Sequence, residues 1–124
     1  MIKAIHHVQI AVSRQVEQET ISFYKNIMQF KEIPKPDNLK KNGGAWFELG
    51  LQQFHIAPED VPEEYNSKSK RHVCFLVEDI EAIKLHLQKN KVEIIEDNQP
   101  IVELKRFYFR DPAGNRVECA QIKY

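Results

Sequence analysis

Two cysteines in 124 residues are too few to staple a small secreted fold, so Cys74 and Cys119 point to a reducing compartment and to the cytoplasm. No stretch approaches eighteen consecutive apolar residues. The opening MIKAIHHVQIAV has one lysine and an apolar stretch broken by two histidines and a glutamine, the form of neither a signal peptide nor a membrane span. Excess charge is absent as well: eighteen Lys plus Arg balance eighteen Asp plus Glu, which removes the field expected of a protein that binds nucleic acid or an anionic membrane. What remains is ordinary globular composition, 42% hydrophobic and 29% charged, in a length that holds one compact domain or two small modules sharing a core. Function has to be sought in a local site.

The chain reads as two half-length repeats. His7-Val8-Gln9-Ile10-Ala11-Val12 resembles His72-Val73-Cys74-Phe75-Leu76-Val77, 65 residues on, and both carry the period-two pattern of a strand with one buried face. After the first, Val16 to Met28 places Val16, Ile21, Tyr24 and Ile27 at helical spacing. After the second, Ile80, Ile83 and Leu87 do the same between Asp79, a predicted N-cap, and Asn90. The rest of each half is strand-like: Lys31 to Ile33, Ala45 to Leu49 and Gln52 to Ala57, then Val92 to Ile95, Arg106 to Phe109 and Arg116 to Gln121. Pro34, Pro36, Gly43 and Gly44 punctuate the first half, and Asp111-Pro112-Ala113-Gly114-Asn115 predicts a turn between two strands. The expected fold class is α+β: module one over about 1–58 and module two over about 71–124, each β-α-β-β-β, joined by a charged linker over about 59–70.

Side chains alternate across a strand, so parity decides which residues share a face. Val8, Ile10 and Val12, and likewise Val73, Phe75 and Val77, form faces that a helix would cover. His7 and His72 fall on the opposite faces. In the last strand of each half, His55 and Glu118 alternate against Phe54, Ile56, Val117 and Cys119, and the two stand 63 residues apart. His7, His55, His72 and Glu118 thus occupy two pairs of repeat-equivalent positions on the uncovered faces. Imidazole nitrogens with a carboxylate oxygen suit a divalent metal with open coordination positions. Two His and one carboxylate fit non-haem Fe(II), and a further His fits Zn, Ni, Co or Mn. His55 is read either as a ligand or as a polar wall.

The segments IHHVQIAV, FYKNIMQF, GAWFELG, FHIAPED, RHVCFLVED and RFYFRDPAGNRVECAQ resemble the vicinal oxygen chelate superfamily, which includes glyoxalase I, extradiol dioxygenases and the fosfomycin and bleomycin resistance proteins. The last segment, an aromatic strand followed by DP, one residue, G and then a metal-ligand Glu, is the most specific. The resemblance implies paired β-α-β-β-β modules whose curved mixed sheets surround a central metal site, in a homodimer. It makes His7 the first-strand ligand, His72 the second-module ligand and Glu118 the terminal ligand. His55 stands where glyoxalase I has a carboxylate. The implied activity is that of a metal-dependent lyase or isomerase on a small substrate that chelates the ion through oxygens, with Glu118 exchanging between ligand and base. The alternatives are an Fe(II) extradiol-type dioxygenase and a non-catalytic resistance protein of the bleomycin-sequestering type. Neither nucleic acid nor membrane is expected as a partner. The site lies either within one chain or between subunits.

Other candidates have plainer readings. His6 and His86 read as structural or solvated, and Cys74 as a small hydrophobe. Trp46, Phe47, Phe107, Tyr108 and Phe109 read as core, Lys105, Arg106 and Arg110 as surface charge, and Glu59 to Arg71 as a solvated linker.

Overall fold

A computed structural model describes residues 1–123. Strand β1 (His7–Ser13) leads into a helical segment, 14–27, whose central part is α1 (Glu17–Ser22). Strands β2 (Lys31–Ile33), β3 (Ala45–Leu49) and β4 (Gln52–Glu59) complete the first half. A short helix, α2 (Glu64–Ser67), precedes the second half, which comprises β5 (His72–Leu76), α3 (Ile80–Lys89), β6 (Ile95–Glu96), β7 (Leu104–Arg110) and β8 (Arg116–Ile122).

The repeat is a repeat of topology. The two mixed sheets have the orders β1-β4-β3-β2 and β5-β8-β7-β6; the first-to-last strand pairing of each half is parallel and the others antiparallel. The fold is α+β, built from two β-α-β-β-β modules.

The helical segment departs from a uniform helix. It begins as a 3-10 turn at Arg14–Val16 and ends as a π-type turn at Phe23–Ile27, closed by the Met28 amide donating to the Phe23 carbonyl at 3.0 Å. The wider turn lets consecutive Phe23 and Tyr24 both be buried. Helix α3 starts and stops as its sequence predicts: Asp79 accepts a capping bond from the Ala82 amide, Asn90 closes the C-terminus, and Leu85 is exposed. Strand β6 is shorter than the predicted Val92 to Ile95. Val92 and Ile94 pack inward in alternation, but pairing with β7 covers only Ile95 and Glu96.

The helix-covered faces of the two sheets make one core. Phe54 lies 5.5 Å from Phe75, Phe30 5.2 Å from Phe75 and Phe23 6.0 Å from Phe109, ring centre to ring centre, so aromatic contacts cross from one half to the other. Polar ties cross too. His86 Nε2 bonds the Ile27 carbonyl at 2.8 Å, which gives this histidine its structural role. The 59–71 segment, read from sequence as a solvated linker, is in part a fastener. Asn66 on α2 is only 3% exposed and donates to the carbonyls of Ala11 and Ala113, one on each module. Arg110 donates to the carbonyls of Asn66, Ser69 and Gly114, so it stabilises this junction and is not free surface charge.

Glycine is required at Gly44, where φ is +78° and an added Cβ would lie 2.0 Å from the Ile56 carbonyl oxygen. This close approach lets β3 join β4, and it places Trp46 opposite His55.

Candidate metal half-sites

On module two, β5 and β8 run parallel with Cys74 opposite Glu118 and His72 opposite Arg116. The His72 Nε2 atom comes within 3.2 Å of Glu118 Oε1. Two donors bound at right angles to one divalent ion, each about 2.1 Å away, stand about 3 Å apart, so this pair has the spacing of neighbouring ligands. The other ring nitrogen, Nδ1, lies 3.0 Å from the Lys70 carbonyl. A carbonyl can only accept, so Nδ1 carries a proton and donates to Lys70, the anchoring that orients metal-binding histidines, and Nε2 is the atom that faces Glu118. The donor set fits a divalent metal.

Glu118 is 5% exposed, and its second oxygen is also occupied. Oε2 accepts from the Cys74 thiol at 3.2 Å and lies 4.0 Å from Arg106 Nη1. Arg106 is itself held by Asp97 at 2.8 Å and by the Gln99 carbonyl at 2.9 Å, so it is a fixed neighbour of the site and not loose surface charge. Burial first, then the bond to Glu118, pushes the Cys74 thiol up to about 12. It stays protonated at neutral pH and is no nucleophile.

On module one, register sets Gln9 opposite His55 and His7 opposite Gln53. His55, 3% exposed, is sandwiched between two rings: Trp46 at 4.0 Å with an interplanar angle of 2°, and His7 at 4.2 Å and 18°. Its Nε2 is engaged by Gln53 Oε1 at 2.8 Å. The ring packs as a buttress for His7, whose Nδ1 lies 3.0 Å from Nδ1 of exposed His6. Burial first, then the charges of His7, His6 and Lys35, lowers His55 from 6.5 to about 4.

That shift has a sign that can be tested. The folded chain disfavours protonated His55 and the unfolded chain does not, so the stability it confers is complete above pH 6.5 and is lost as pH falls from 6.5 toward 4. Chelator-treated protein is expected to lose about 2 kcal/mol by pH 4.5 through this group. Urea unfolding at pH 7.5 and 4.5 checks it, since His55→Gln should shrink the difference between the two pH values by that amount. An equal difference in both proteins excludes His55 as the source.

The repeat extends to the site itself. The pair Gln9 and His55 on module one corresponds to Cys74 and Glu118 on module two, and Trp46 beside His55 corresponds to Tyr108 beside Glu118. Yet the four candidate ligands form two pairs, His7 with His55 and His72 with Glu118, and among the described residues no group of three or more His, Cys, Asp or Glu side chains is placed to hold a metal within one chain. Of the predicted aromatic candidates, Phe47, Phe107 and Phe109 are fully buried core, whereas Trp46 and Tyr108 face the half-sites. Strand parity alone places Gln53 on the face of His55 and Arg116 on that of Glu118; what the sequence does not show is their contacts, Gln53 with His55 Nε2 and Arg116 over the Tyr108 ring.

Two equivalent sheets, each bearing one pair of ligand-type side chains on its uncovered face, define a paired-module protein with two candidate half-sites. Residues 4–119 match the model of the Glyoxalase/Bleomycin resistance protein/Dioxygenase superfamily, and the chain belongs to that superfamily. A glyoxalase-family protein of Bacillus anthracis of known structure is 39% identical, with a TM-score of 0.89 over 99% of this chain and 98% of that one. The Arabidopsis thaliana protein Glyoxylase I 4 is 23% identical over 94% of this chain and 70% of its own length. At 19% identity, FosX, a fosfomycin resistance protein of Listeria monocytogenes solved with Mn(II) and a sulfate ion, shares the fold, with a TM-score of 0.76 over 99% of this chain and 93% of that one.

Proposed function

We propose that the protein is a metal-dependent enzyme of the glyoxalase type, a lyase or isomerase acting on a small substrate that chelates a divalent ion through adjacent oxygens. The observation that carries this reading is the His72–Glu118 pair at ligand spacing, with Nδ1 of the histidine anchored on the Lys70 carbonyl. Mn(II) in the FosX structure and the lyase and dioxygenase chemistry of the superfamily agree with such a centre.

His7, His72 and Glu118 would hold the ion, which when bound supplies charge stabilisation to an enolate or oxyanion. Everything else falls to the protein. Glu118 is buried, so a proton it takes up at a carboxylate oxygen is shielded from water, and Arg106, fixed by Asp97, keeps a positive charge 4.0 Å from Oε2. Trp46, His55 and Gln53 hold His7 in place.

Because one chain keeps the two pairs apart, we place the working site between subunits of a homodimer, with His7 of one meeting His72 and Glu118 of the other. Two free thiols suit a cytoplasmic protein, and no helix among the described residues is long and apolar enough to cross a membrane. The test is elemental analysis of protein purified without an affinity tag. About one divalent ion per chain is expected, and a chain that neither retains nor takes up metal sinks the proposal.

One observation favours a second reading. Gln53 occupies His55 Nε2, which leaves two histidines and one carboxylate, the count of an Fe(II) facial triad. Oxygen consumption with catechol-type substrates after Fe(II) loading distinguishes a dioxygenase from a lyase.

A further inference from the structure

A cavity of about 300 Å³ lies between the modules and reaches His72. Strand β1 contributes Gln9, α2 contributes Tyr65, the residue just before β5 is Arg71, and β8 contributes Arg116. The arginines of this chain have distinct partners. Arg14 pairs with Asp60, Arg106 with Asp97, and Arg110 donates to three carbonyls. The other two, Arg71 and Arg116, form no ion pair with any carboxylate of the described residues, and both line this one cavity.

Both guanidinium groups are nevertheless held in place. Arg71 lies over the Tyr65 ring, 5.0 Å from its centre, and Nη2 donates to Asn66 Oδ1 at 3.1 Å. Arg116 lies 4.1 Å over the Tyr108 ring, and Tyr108 in turn meets His72 edge to face at 5.9 Å. Aromatic platforms fix a guanidinium plane while leaving N–H groups free for a planar or tetrahedral anion: the bond to Asn66 uses one nitrogen of Arg71, and Arg116 makes no side-chain hydrogen bond among the described residues. The one carboxylate in the lining is Glu59, at the exposed end of β4, and it pairs with neither arginine.

We propose that this cavity is a subsite for an anionic group, a carboxylate or a phosphate-type oxyanion, of the small molecule whose other end reaches His72 and Glu118. The substrate class is therefore a small acid. The volume stands at the lower end of ligand pockets and suits one such group with a few atoms attached. The second half of this statement rests on the metal-enzyme reading; the anion subsite itself does not.

The test is run on full-length, chelator-stripped protein, titrated by calorimetry with inorganic phosphate and, separately, with malonate. Saturable binding of at least one probe is expected, weakening as salt rises and falling about tenfold or more in Arg116→Gln and in Arg71→Gln. Phosphate bound in preference to malonate assigns a phosphate-type group, and the reverse assigns a carboxylate. Arg71→Gln could disturb Asn66, whereas the contact of Arg116 is with an aromatic ring, so an Arg116→Gln chain with unchanged melting temperature is decisive. If it binds both probes as the parent does, or if the parent binds neither, the proposal is overturned. Because the titration is done without metal, anion binding in a chain that takes up no metal would uphold the subsite and remove the metal reading.

Discussion

His72→Ala is expected to abolish stoichiometric metal binding while leaving the fold intact. Outer-shell partners of a metal-bound histidine alone are worth roughly 10–100-fold in affinity, and loss of the imidazole removes the ligand itself, so a drop of more than about 100-fold is expected. The cost to the fold should be small. His72 is exposed on the edge strand of its sheet, and apart from the contacts with Glu118 and Tyr108 its side chain bonds only the Lys70 carbonyl. Elemental analysis with circular dichroism on the same sample separates the two outcomes. Unchanged metal content in a folded variant excludes His72 as a ligand.

The divided half-sites make a sharper version of the experiment available. His7→Ala and Glu118→Ala chains should each bind no metal alone. Unfolded and refolded together, about half of the dimers are mixed, and in a shared arrangement each mixed dimer regains one intact site of its two, so about a quarter of the parental metal should return. A site contained within one chain gives no recovery at all.

How much of this was legible in the sequence follows from what governs each feature. The repeated topology was, because strand parity and turn residues are local: Lys31–Ile33 and Ala45–Leu49 are found at the boundaries their patterns predict, and Asp79 caps α3. The faces of His7, His55, His72 and Glu118 were legible for the same reason. What each ligand-type residue touches was not. The engagement of His55 by Gln53 depends on cross-strand packing with Trp46 that no single strand reveals. Nor could charge counting show that Arg110 and Asn66 tie a junction, since carbonyl partners leave no mark in a sequence. The π-type turn at Phe23–Ile27 likewise reflects the demand of the core for two adjacent aromatics.

Asp111→Ala is expected to be the most destabilising single change outside the aromatic core, costing about 4 kcal/mol. The DPAGN turn, the most specific segment of the sequence, owes its form to this carboxylate. Oδ1 accepts from the Ala113 and Asn115 amides at 3.0 and 2.9 Å, and Oδ2 accepts from Tyr24 Oη at 2.7 Å. The turn before β8 is thereby tied to the helical segment of the other module. Alanine leaves the Tyr24 hydroxyl without its partner in a residue that is 1% exposed, together with two backbone amides, and each such loss costs about 1–3 kcal/mol. Asparagine should be far milder, about 1 kcal/mol, because its carbonyl oxygen retains both amides and its amide group can donate to the tyrosine oxygen. Burial raises the Asp111 carboxyl while its hydrogen bonds lower it, so the neutral side chain also sheds a desolvation cost. Tyr24→Phe removes one bond from a carboxylate that keeps two, and about 1–2 kcal/mol is expected. Urea unfolding of the two single variants and of the Tyr24→Phe, Asp111→Ala double variant completes the cycle. A double-variant loss well below the sum of the singles shows that both act through the same bond, and strict additivity excludes Tyr24–Asp111 as the fastening between the modules.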